Sequence, residues 1–548
     1  MKNNNNKNNN KNTNKEIALS KSKEESSIFD KMSLDDIYKE IQQVYLEDSR
    51  PWVIGYSGGK DSTTALQLTW YAISKLPKEK RKKKIYVISS DTLVETPVIV
   101  DYINNTLENI NEQAEKQNLP FIAEKVMPAI KDTFWVNLIG RGYPAPQTGF
   151  RWCTERMKIK PADKFIQDKV SKYGEIITVL GIRKGESMTR DQVMSLYEIK
   201  DSLLSKHSRF PNAFVYTPIK EFTINDIWKY LLQNPSPWGG NNRDLVALYK
   251  NAQSSGECPL VVDDTTPSCG NTRFGCWVCT VVSRDKSMEA LIDSGEEWME
   301  PLLEIRDYLS STQDPSTKKE IREFKRRMGF ISIKNMYLKE KVKYENKEGE
   351  DLFSRGPYKL EICKKILSML LKAQVSVRKT GPDPSFNLIL PEELYEIRKL
   401  WTTERGDWED SVPQIYRETI GSDLNWVHDD IGLFNKKDHL ILKDICTNHK
   451  IPEILVQKLM EAERQTSGMN KRSSIFKRIE DILKEEWRDE DEVTKEVIEE
   501  FSNKSLISKM TKDKTLEKLE QKNNNNNNNE KNDIWKNNEN IEKGSNVN

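Results

Sequence analysis

The chain has 548 residues with 86 basic and 85 acidic side chains, and its formal net charge is +1. This length allows two or more domains, and a balanced charge neither indicates nor excludes a nucleic-acid partner, since a neutral total can conceal a basic face. Seven cysteines in so long a chain argue against a disulfide-rich secreted scaffold. No apolar run reaches the length of a membrane span or follows the N-terminal lysines as in a signal peptide, so we expect a cytoplasmic protein without a membrane partner.

Both ends of the chain are poor in apolar residues. Residues 1–28 are rich in Asn and Lys, and residues 516–548 include an unbroken run of Asn. Such composition predicts disordered tails, because little apolar surface is available to bury. Three regions are predicted between the tails: an α/β domain at 29–240, a cysteine-containing segment at 241–325 and a mostly α-helical region at 326–515.

Strands and helices alternate through residues 29–240. A first helix is predicted from residue 29 to about residue 50, and Thr223 is expected to cap a later helix that carries Ile227 and Leu231. Short apolar runs predict strands at 52–56, 84–90, 121–127, 175–181 and 214–218. This alternation predicts a doubly wound parallel sheet, with the ligand at the carboxyl ends of its strands.

The loop between the first strand and the next helix, from Gly55 to Ser62, is the most informative stretch. It turns on glycines and opens a helix with a lysine and hydroxyl side chains, an arrangement that suits an anionic phosphate. It is not a Walker A loop, because it is one residue short and Asp61 stands where a magnesium-binding Ser or Thr is needed.

This loop resembles the PP-loop of ATP pyrophosphatases, which have an adenine nucleotide alpha-hydrolase-like fold. The resemblance implies ATP and Mg²⁺ as ligands, and catalytic roles for Lys60 and Asp61. It also implies that six residues hold the β,γ-pyrophosphate: Ser57, Gly58, Gly59, Lys60, Asp61 and Ser62.

Three further motifs follow in order. The second strand ends at Asp91, whose carboxylate suits the hydroxyls or amino group of a nucleotide or, alternatively, a helix cap near Pro97. The other two motifs run from Gly149 to Lys158 and from Gly181 to Arg190. With the loop, they resemble the phosphoadenosine phosphosulfate (PAPS) reductase family over about residues 50–235. That resemblance implies a phosphate-binding edge with four cations, of which Arg183 is also expected to be catalytic: Arg151, Lys158, Arg183 and Arg190.

Cys153 lies within the second of these motifs. The charges of Arg151, Arg156 and Lys158 are expected to lower the pKa of its thiol, as suits a catalytic cysteine that carries a persulfide or attacks an activated phosphate. The alternative interpretation is a cysteine packed beneath the nucleotide edge. The sequence favours neither.

Four cysteines fall within 22 residues: Cys258, Cys269, Cys276 and Cys279. Four thiolates in a segment rich in Pro and Gly suit a [4Fe–4S] cluster or a tetrahedral zinc. Only the last two form a Cys-x-x-Cys pair, and this irregular spacing favours iron–sulfur over zinc. Cys363 and Cys446, by contrast, fall on apolar helical stripes and are predicted to lie in the core.

The cysteines depart from those of the assimilatory reductases, since no cysteine follows Cys446 and Thr154 follows Cys153. The loop, the reductase-like motifs, the cysteine segment and a long C-terminal region that includes Trp401 to Tyr416 are together similar to the DndC family of DNA phosphorothioation proteins, over about residues 30–515. This resemblance implies a sulfurtransferase with ATP pyrophosphatase activity. Such an enzyme adenylates a DNA phosphate with release of pyrophosphate, so that sulfur replaces a non-bridging oxygen.

The same resemblance implies DNA, a cysteine desulfurase as sulfur donor and other Dnd subunits as partners. The cluster's role remains open among sulfur relay, electron supply and structural support. Two other enzyme classes fit parts of the pattern, an iron–sulfur PP-loop tRNA thiolase and a PAPS or APS reductase. A non-catalytic nucleotide-sensing scaffold is the third alternative.

Overall fold

The computed structural model describes residues 27–185, 188–251, 275–334, 351–426, 436–466 and 473–500. The chain divides into two compact units. Unit 1 contains residues 1–134, 146–310 and 373–389, and unit 2 contains residues 135–145, 311–372 and 390–548. Apart from residues 27 and 28, the predicted tails lie outside the described residues. The domain boundaries at 240, 325 and 515 stay predictions.

A six-stranded sheet forms the centre of unit 1. Its strands are β1 (Trp52–Gly55), β2 (Ile85–Ser90), β3 (Phe121–Val126), β4 (Ile176–Val179), β5 (Leu204–Lys206) and β6 (Ala213–Tyr216). The strand order is β3-β2-β1-β4-β6-β5, and every pair is parallel except β5 with β6. All four residues of β4 are buried, as expected for a strand covered on both faces. The predicted α/β class and parallel sheet are confirmed.

Helices connect these strands and continue beyond the last one. They are α1 (Leu34–Leu46), α2 (Lys60–Ser74), α3 (Pro97–Lys116), α4 (Lys160–Tyr173), α5 (Met188–Tyr197), α6 (Ile224–Gln233), α7 (Asn242–Asn251), α8 (Lys286–Asp293) and α9 (Glu300–Ser311). Two π-helical turns, Val136–Gly140 and Thr154–Ile159, lie between β3 and α4.

Strand β1 is the point at which the sheet reverses its direction of winding. It pairs with β2 on one side and with β4 on the other. In an open parallel sheet, the loops that leave such neighbouring strands at their carboxyl ends diverge and form a crevice. The three predicted motifs that follow β1, β2 and β4 therefore meet at one edge.

The region after residue 311 is mostly helical, as predicted. Its helices are α10 (Lys318–Ile321), α11 (Leu360–Thr380), α12 (Pro391–Glu404), α13 (Ser411–Ile420), α14 (Lys436–His449), α15 (Glu453–Thr466) and α16 (Ser473–Leu483), and residues 490–500 are also helical. None of the described helices is long and apolar enough to cross a membrane.

One part of this region is extended, which the sequence analysis does not predict. Residues 322–334, which we call the basic hairpin, fold back on themselves so that Lys325 pairs with Ile331. Residues 351–354 pair with the same hairpin, and the rings of Phe324 and Phe353 lie 5.9 Å apart in the small core beneath it. This apolar contact joins residues that are distant in sequence. It stabilises an extended conformation where the local pattern predicts a helix.

Several residues singled out in the sequence belong to the core of unit 2. The Trp401 side chain is fully buried and donates a hydrogen bond to the carbonyl of Ile139. Cys363 and Cys446 are also buried, which confirms the prediction for both.

Asp226 fastens helix α6 to the start of the described chain. Its carboxylate accepts hydrogen bonds from the amide and hydroxyl of Thr223, which caps the helix as predicted, and from Ser27 and the amide of Ile28. The side chain is only 2% exposed. Burial raises the pKa of Asp226, but the hydrogen bonds from Ser27 and Thr223 outweigh it and lower that pKa.

Replacing Asp226 with alanine would leave buried donors without an acceptor. We expect the free energy of unfolding at neutral pH to fall by about 2–4 kcal/mol, measured by urea denaturation. Asp36→Ala, which removes an exposed capping box from α1, is the matched control and should cost less. Because the pKa of Asp226 is lowered on folding, the wild-type advantage should be complete above about pH 4 and decline as the pH falls through the lowered pKa. Equal losses in the two variants would contradict this assignment.

Candidate nucleotide and metal site

The loop between β1 and α2 has the shape of a phosphate cradle. Gly58 adopts a φ of 73°, which a glycine accepts without strain, and Gly59 precedes the first helical turn without a side-chain cap. The hydroxyl of Ser62 accepts a hydrogen bond from the amide of Ser57 and donates to the carbonyl of Gly59. The loop is thus braced internally while the amino end of α2, with its partial positive charge, faces the sheet edge.

Two cations of the candidate site share one carboxylate. Lys60 Nζ lies 2.9 Å from one oxygen of Asp61, and Arg183 Nε lies 2.6 Å from the other. Burial raises the pKa of Asp61, but the charges of Lys60 and Arg183 outweigh it and hold that pKa below its usual value. Arg183 is only 6% exposed, so its guanidinium is positioned by the fold. The structure thus brings three predicted residues together.

Gly181 explains how Arg183 reaches the cradle. A Cβ at Gly181 would lie 2.7 Å from the carbonyl oxygen of Asp61 and 2.8 Å from the amide nitrogen of Ser62. Only a residue without a side chain allows the loop after β4 to approach the first turn of α2 so closely.

Tyr249 on α7 also contacts the cradle, and the sequence analysis did not identify it. Its hydroxyl accepts a hydrogen bond from the amide of Lys60 at 3.3 Å, and the ammonium of Lys60 lies 5.5 Å from its ring centroid. The ring packs edge-on against Trp228. At the other end of α7, Asn242 binds Gln67 of α2. The hydroxyl therefore occupies an acceptor position at the helix start that a phosphate oxygen would also use.

The other predicted nucleotide-binding residues have different surroundings. Asp91 accepts a hydrogen bond from the amide of Leu93 and lies 3.2 Å from Lys125 Nζ, at the carboxyl end of β2. Arg151 is exposed. Arg190 lies on α5, and its side chain is outside the described residues, as are Cys258 and Cys269.

The last two cysteines of the predicted quartet are docked on the loop that follows β2. The amide of Trp277 donates to the carbonyl of Val94 at 3.0 Å, and the Thr96 hydroxyl donates to the carbonyl of Gly275. Cys276 and Glu95 form an isolated antiparallel bridge. Trp277 and Val278 between the cysteines are buried. These contacts place the Cys276–Cys279 turn, which we call the cysteine turn, at the same sheet edge as the cradle.

Polar groups surround the first sulfur of the cysteine turn. Cys276 Sγ lies 3.3 Å from the Thr92 hydroxyl and 3.7 Å from a Glu95 carboxylate oxygen. Lys158 Nζ lies 3.2 Å from the same oxygen of Glu95. Burial and then the Glu95 charge raise the pKa of Cys276, while Cys276 and Glu95 raise the pKa of Lys158. Lys158 therefore faces the thiol of Cys276 in this structure.

The thiol of Cys153 interacts electrostatically with the cysteines of the cysteine turn. It immediately precedes the π-helical turn Thr154–Ile159, and π-helical turns often occur at functional sites. Burial and then the charge of Cys279 raise the pKa of the Cys153 thiol, and the charge of Cys153 contributes to the raised pKa of Cys276.

The predicted lowering of the Cys153 pKa is therefore wrong. Two cations on which it depended are directed elsewhere: Arg156 pairs with Asp132 at 2.5 Å, and Lys158 pairs with Glu95. Proximity along the sequence did not reveal these partners.

A buried arginine secures the far end of the cysteine turn. Arg306 on α9 is 1% exposed, and its guanidinium donates to the carbonyls of Cys279, Val282 and Ser283. Carbonyl groups at the end of a tight turn lack regular partners, and a planar guanidinium can satisfy several at once. No local sequence signal marked this residue, because its three acceptors are backbone atoms more than 20 positions away.

The described residues contain no complete group of three or more ligands arranged to hold a metal ion. Two members of the predicted quartet lie outside them. The donors that are described, Cys276, Cys279 and the nearby Cys153, are thiols, and thiolates are the ligands that iron–sulfur clusters and structural zinc prefer. The donor chemistry fits the predicted group, and Cys153 is an additional candidate ligand.

Comparison with known proteins identifies the domain that contains this site. Residues 51–282 match the family model of the phosphoadenosine phosphosulfate reductase domain. Over these residues, which are less than half of the chain, the protein is similar to PAPS reductase domains. An uncharacterized protein of Methanocaldococcus jannaschii is 27% identical over 198 residues, which are 36% of this chain and 35% of that protein. The chain thus spans about a third of the length of this curated relative.

Two solved structures show looser similarity. PAPS reductase from Candida auris, in a phosphate complex, is 14% identical with a TM-score of 0.26, covering 40% of this chain and 94% of that chain. The U34-tRNA thiolase NcsA from Methanococcus maripaludis, with its [4Fe-4S] cluster, is 10% identical with a TM-score of 0.22, covering 59% and 84%. Superposition at these TM-scores is too loose to transfer any residue or ligand.

The position of the Tyr249 hydroxyl leads to a binding prediction. Tyr249→Phe keeps the ring packed on Trp228 but frees the Lys60 amide, so we expect inorganic pyrophosphate to bind about 3–10-fold more tightly, measured by isothermal titration calorimetry. Tyr71→Phe, which removes a hydroxyl from the carboxyl-terminal turn of α2, away from the cradle, is the control and should leave the affinity unchanged. Weaker binding by Tyr249→Phe would instead make the hydroxyl a direct phosphate contact.

Proposed function

We propose that this protein is an ATP-dependent sulfurtransferase of DNA backbone phosphorothioation. It activates a DNA phosphate by adenylation with release of pyrophosphate, and sulfur then replaces a non-bridging oxygen. The observation that carries the proposal is the shared sheet edge: a phosphate cradle after β1 and a cysteine turn docked on the loop after β2. The match to the PAPS reductase domain supports the nucleotide part. DNA as the acceptor rests on the resemblance of the loop, the cysteine segment and the C-terminal region to the DndC family.

The first step uses the cradle. An oxygen of the acceptor phosphate attacks the α-phosphorus of ATP, the new oxygen–phosphorus bond forms, and the bond to the β-phosphate oxygen breaks. Negative charge grows on the departing pyrophosphate. Lys60 and Arg183 offset that charge, and both are held at the cradle before the reaction begins. When the phosphates engage these cations, the Asp61 carboxylate becomes available to Mg²⁺, a cation that prefers oxygen ligands.

The second step uses the new leaving group. Phosphate oxygen leaves poorly at neutral pH, but the adenylated oxygen leaves as AMP. A sulfide-level nucleophile attacks the activated phosphorus, so that a phosphorus–sulfur bond forms as the bond to AMP breaks. We propose a cysteine desulfurase as the source of sulfur, a two-electron thiol reductant that releases its persulfide sulfur as sulfide, and other Dnd subunits as partners in presenting the DNA.

The cysteines support sulfur chemistry beside this reaction. We propose that the predicted quartet, Cys258, Cys269, Cys276 and Cys279, holds a [4Fe–4S] cluster, with Cys153 as an additional candidate ligand. Such a cluster supplies electrons or a site for sulfide when bound. Among the chain's own groups, Lys158 offsets the negative charge of the thiolates, and Arg306 fixes the backbone that carries them.

Loss of the cradle lysine tests the nucleotide chemistry. Lys60→Ala removes a cation from the leaving pyrophosphate, so we expect conversion of ATP to AMP and pyrophosphate to fall by about a hundredfold or more. The measurement is release of pyrophosphate by purified protein in the presence of duplex DNA. Lys39→Ala on α1, where the side chain is 74% exposed, is the control and should retain full turnover. Unchanged turnover in Lys60→Ala would refute the assigned chemistry.

Metal analysis tests the cysteine assignment. Freshly purified anaerobic protein should contain about four irons and four sulfides per chain, with a broad visible absorbance band. Cys276→Ser and Cys279→Ser should each lower the iron content sharply, and Cys153→Ser tests whether the additional candidate is a ligand. Cys446→Ser, in the core of unit 2, is the control and should not. One zinc and no iron in the wild type would contradict the cluster, and full iron in Cys153→Ser would remove Cys153 from the ligand set.

A further inference from the structure

The basic hairpin of unit 2 ends in a tight, well-defined tip. The amide of Gly329 donates to the carbonyl of Arg326, and the amide of Arg326 donates to the carbonyl of Phe330, both at 2.8 Å. Gly329 has a φ of 78°, as a three-residue hairpin loop with a glycine bulge requires. The carbonyl of Gly329 accepts from the amide of Glu486, which fastens the turn to unit 2. The turn is therefore held in place by hydrogen bonds within the hairpin and to Glu486.

This segment is strongly basic. From residue 318 to residue 334 there are seven basic residues and two acidic ones: Lys318, Lys319, Arg322, Lys325, Arg326, Arg327 and Lys334 against Glu320 and Glu323. A field of this sign attracts polyanions and raises their rate of association.

Three of these cations donate to backbone carbonyls. Arg322 donates to the carbonyls of Arg355 and Gly356, Arg326 to that of Arg355, and Lys325 to that of Glu486. Arg327 lies 3.4 Å from a carboxylate oxygen of Glu404, in an exposed ion pair of the kind that contributes little stability. Burial and then the charges of Arg322 and Lys334 lower the pKa of Lys318, which indicates crowding of like charge.

Apolar side chains project from the same tip. Met328 is 67% exposed and Phe330 is 54% exposed, and Arg326 and Arg327, which directly precede them, are exposed as well. Large apolar side chains are normally turned inward, as is Phe324, six residues before Phe330. Arginines beside exposed apolar groups suit a surface that contacts phosphates and base edges.

We propose that the tip of the basic hairpin, Arg326 to Phe330, is a docking surface for duplex DNA. The identity of the nucleic acid rests on the proposed function, but the surface itself rests on unit 2 alone. Arg326 and Arg327 contact backbone phosphates, and Met328 and Phe330 contact the groove. A two-stranded ribbon fits the major groove of B-form DNA, about 12 Å wide, whereas the major groove of A-form RNA is too narrow for side-chain reading.

The test is binding of a fluorescein-labelled DNA duplex to the full-length protein, followed by anisotropy at several salt concentrations. Arg327→Gln combined with Phe330→Ser alters two exposed side chains outside the small core beneath the hairpin. We expect the dissociation constant to rise about tenfold or more, with a shallower salt dependence, because phosphate contacts are lost. The matched control combines Lys484→Gln with Phe476→Ser, side chains that are also exposed in unit 2 and should change affinity less than about twofold.

Three results would overturn the proposal: no duplex binding by the wild type, equal weakening in both double variants, or a loss confined to duplex RNA. Thermal denaturation of each variant shows whether unit 2 remains folded. Lys60→Ala should bind the duplex as the wild type does. A variant that loses ATP turnover but binds the duplex would therefore be impaired only in the proposed chemistry. A hairpin variant that loses duplex binding but keeps turnover would be impaired only at the docking surface.

Discussion

The backbone pairing between residues 94–96 and the cysteine turn is the interaction on which the candidate site depends. The cradle after β1 would exist without it, since glycines and the start of α2 are enough to form it. The cysteines, however, follow the last strand by some sixty residues and come to the same sheet edge only because Trp277 and Gly275 bond to Val94 and Thr96. A loop that continues directly from β2 thereby holds the cysteine turn at the edge where the cradle lies.

A balance of charge governs the cradle itself. Lys60, Arg183 and the amino end of α2 would repel one another without an anion, and the carboxylate of Asp61 supplies one from within the loop. A polyphosphate would compete for the same cations, so its energy of binding would include the separation of these ion pairs. The hydroxyl of Tyr249 likewise accepts from the Lys60 amide, a donor that a phosphate oxygen would need. These internal contacts stabilise the empty cradle and would lower its affinity for a polyphosphate.

Local patterns predicted much of the fold and the loop that brings Lys60 and Asp61 to the sheet edge. The apolar run at 52–56 became β1, Thr223 caps α6, and the loop from Ser57 to Ser62 forms the cradle, because each depends on neighbours in sequence. Tyr249, Arg306 and the basic hairpin were missed for the opposite reason. Their partners are a backbone amide, three carbonyls and a distant phenylalanine, none of which leaves a trace in the local sequence. Cys153 shows the same limit, since its cationic neighbours are paired with Asp132 and Glu95.

The buried Arg306 changes where the functional domain ends. The family match stops at residue 282, yet the guanidinium that holds the carbonyls of Cys279, Val282 and Ser283 comes from α9, which ends at residue 311. A fragment cut at the limit of sequence similarity would keep both cysteines of the turn and lose the side chain that orders them. A fragment that retains the contacts of the cysteine turn must therefore include α9, which ends about thirty residues beyond the family match.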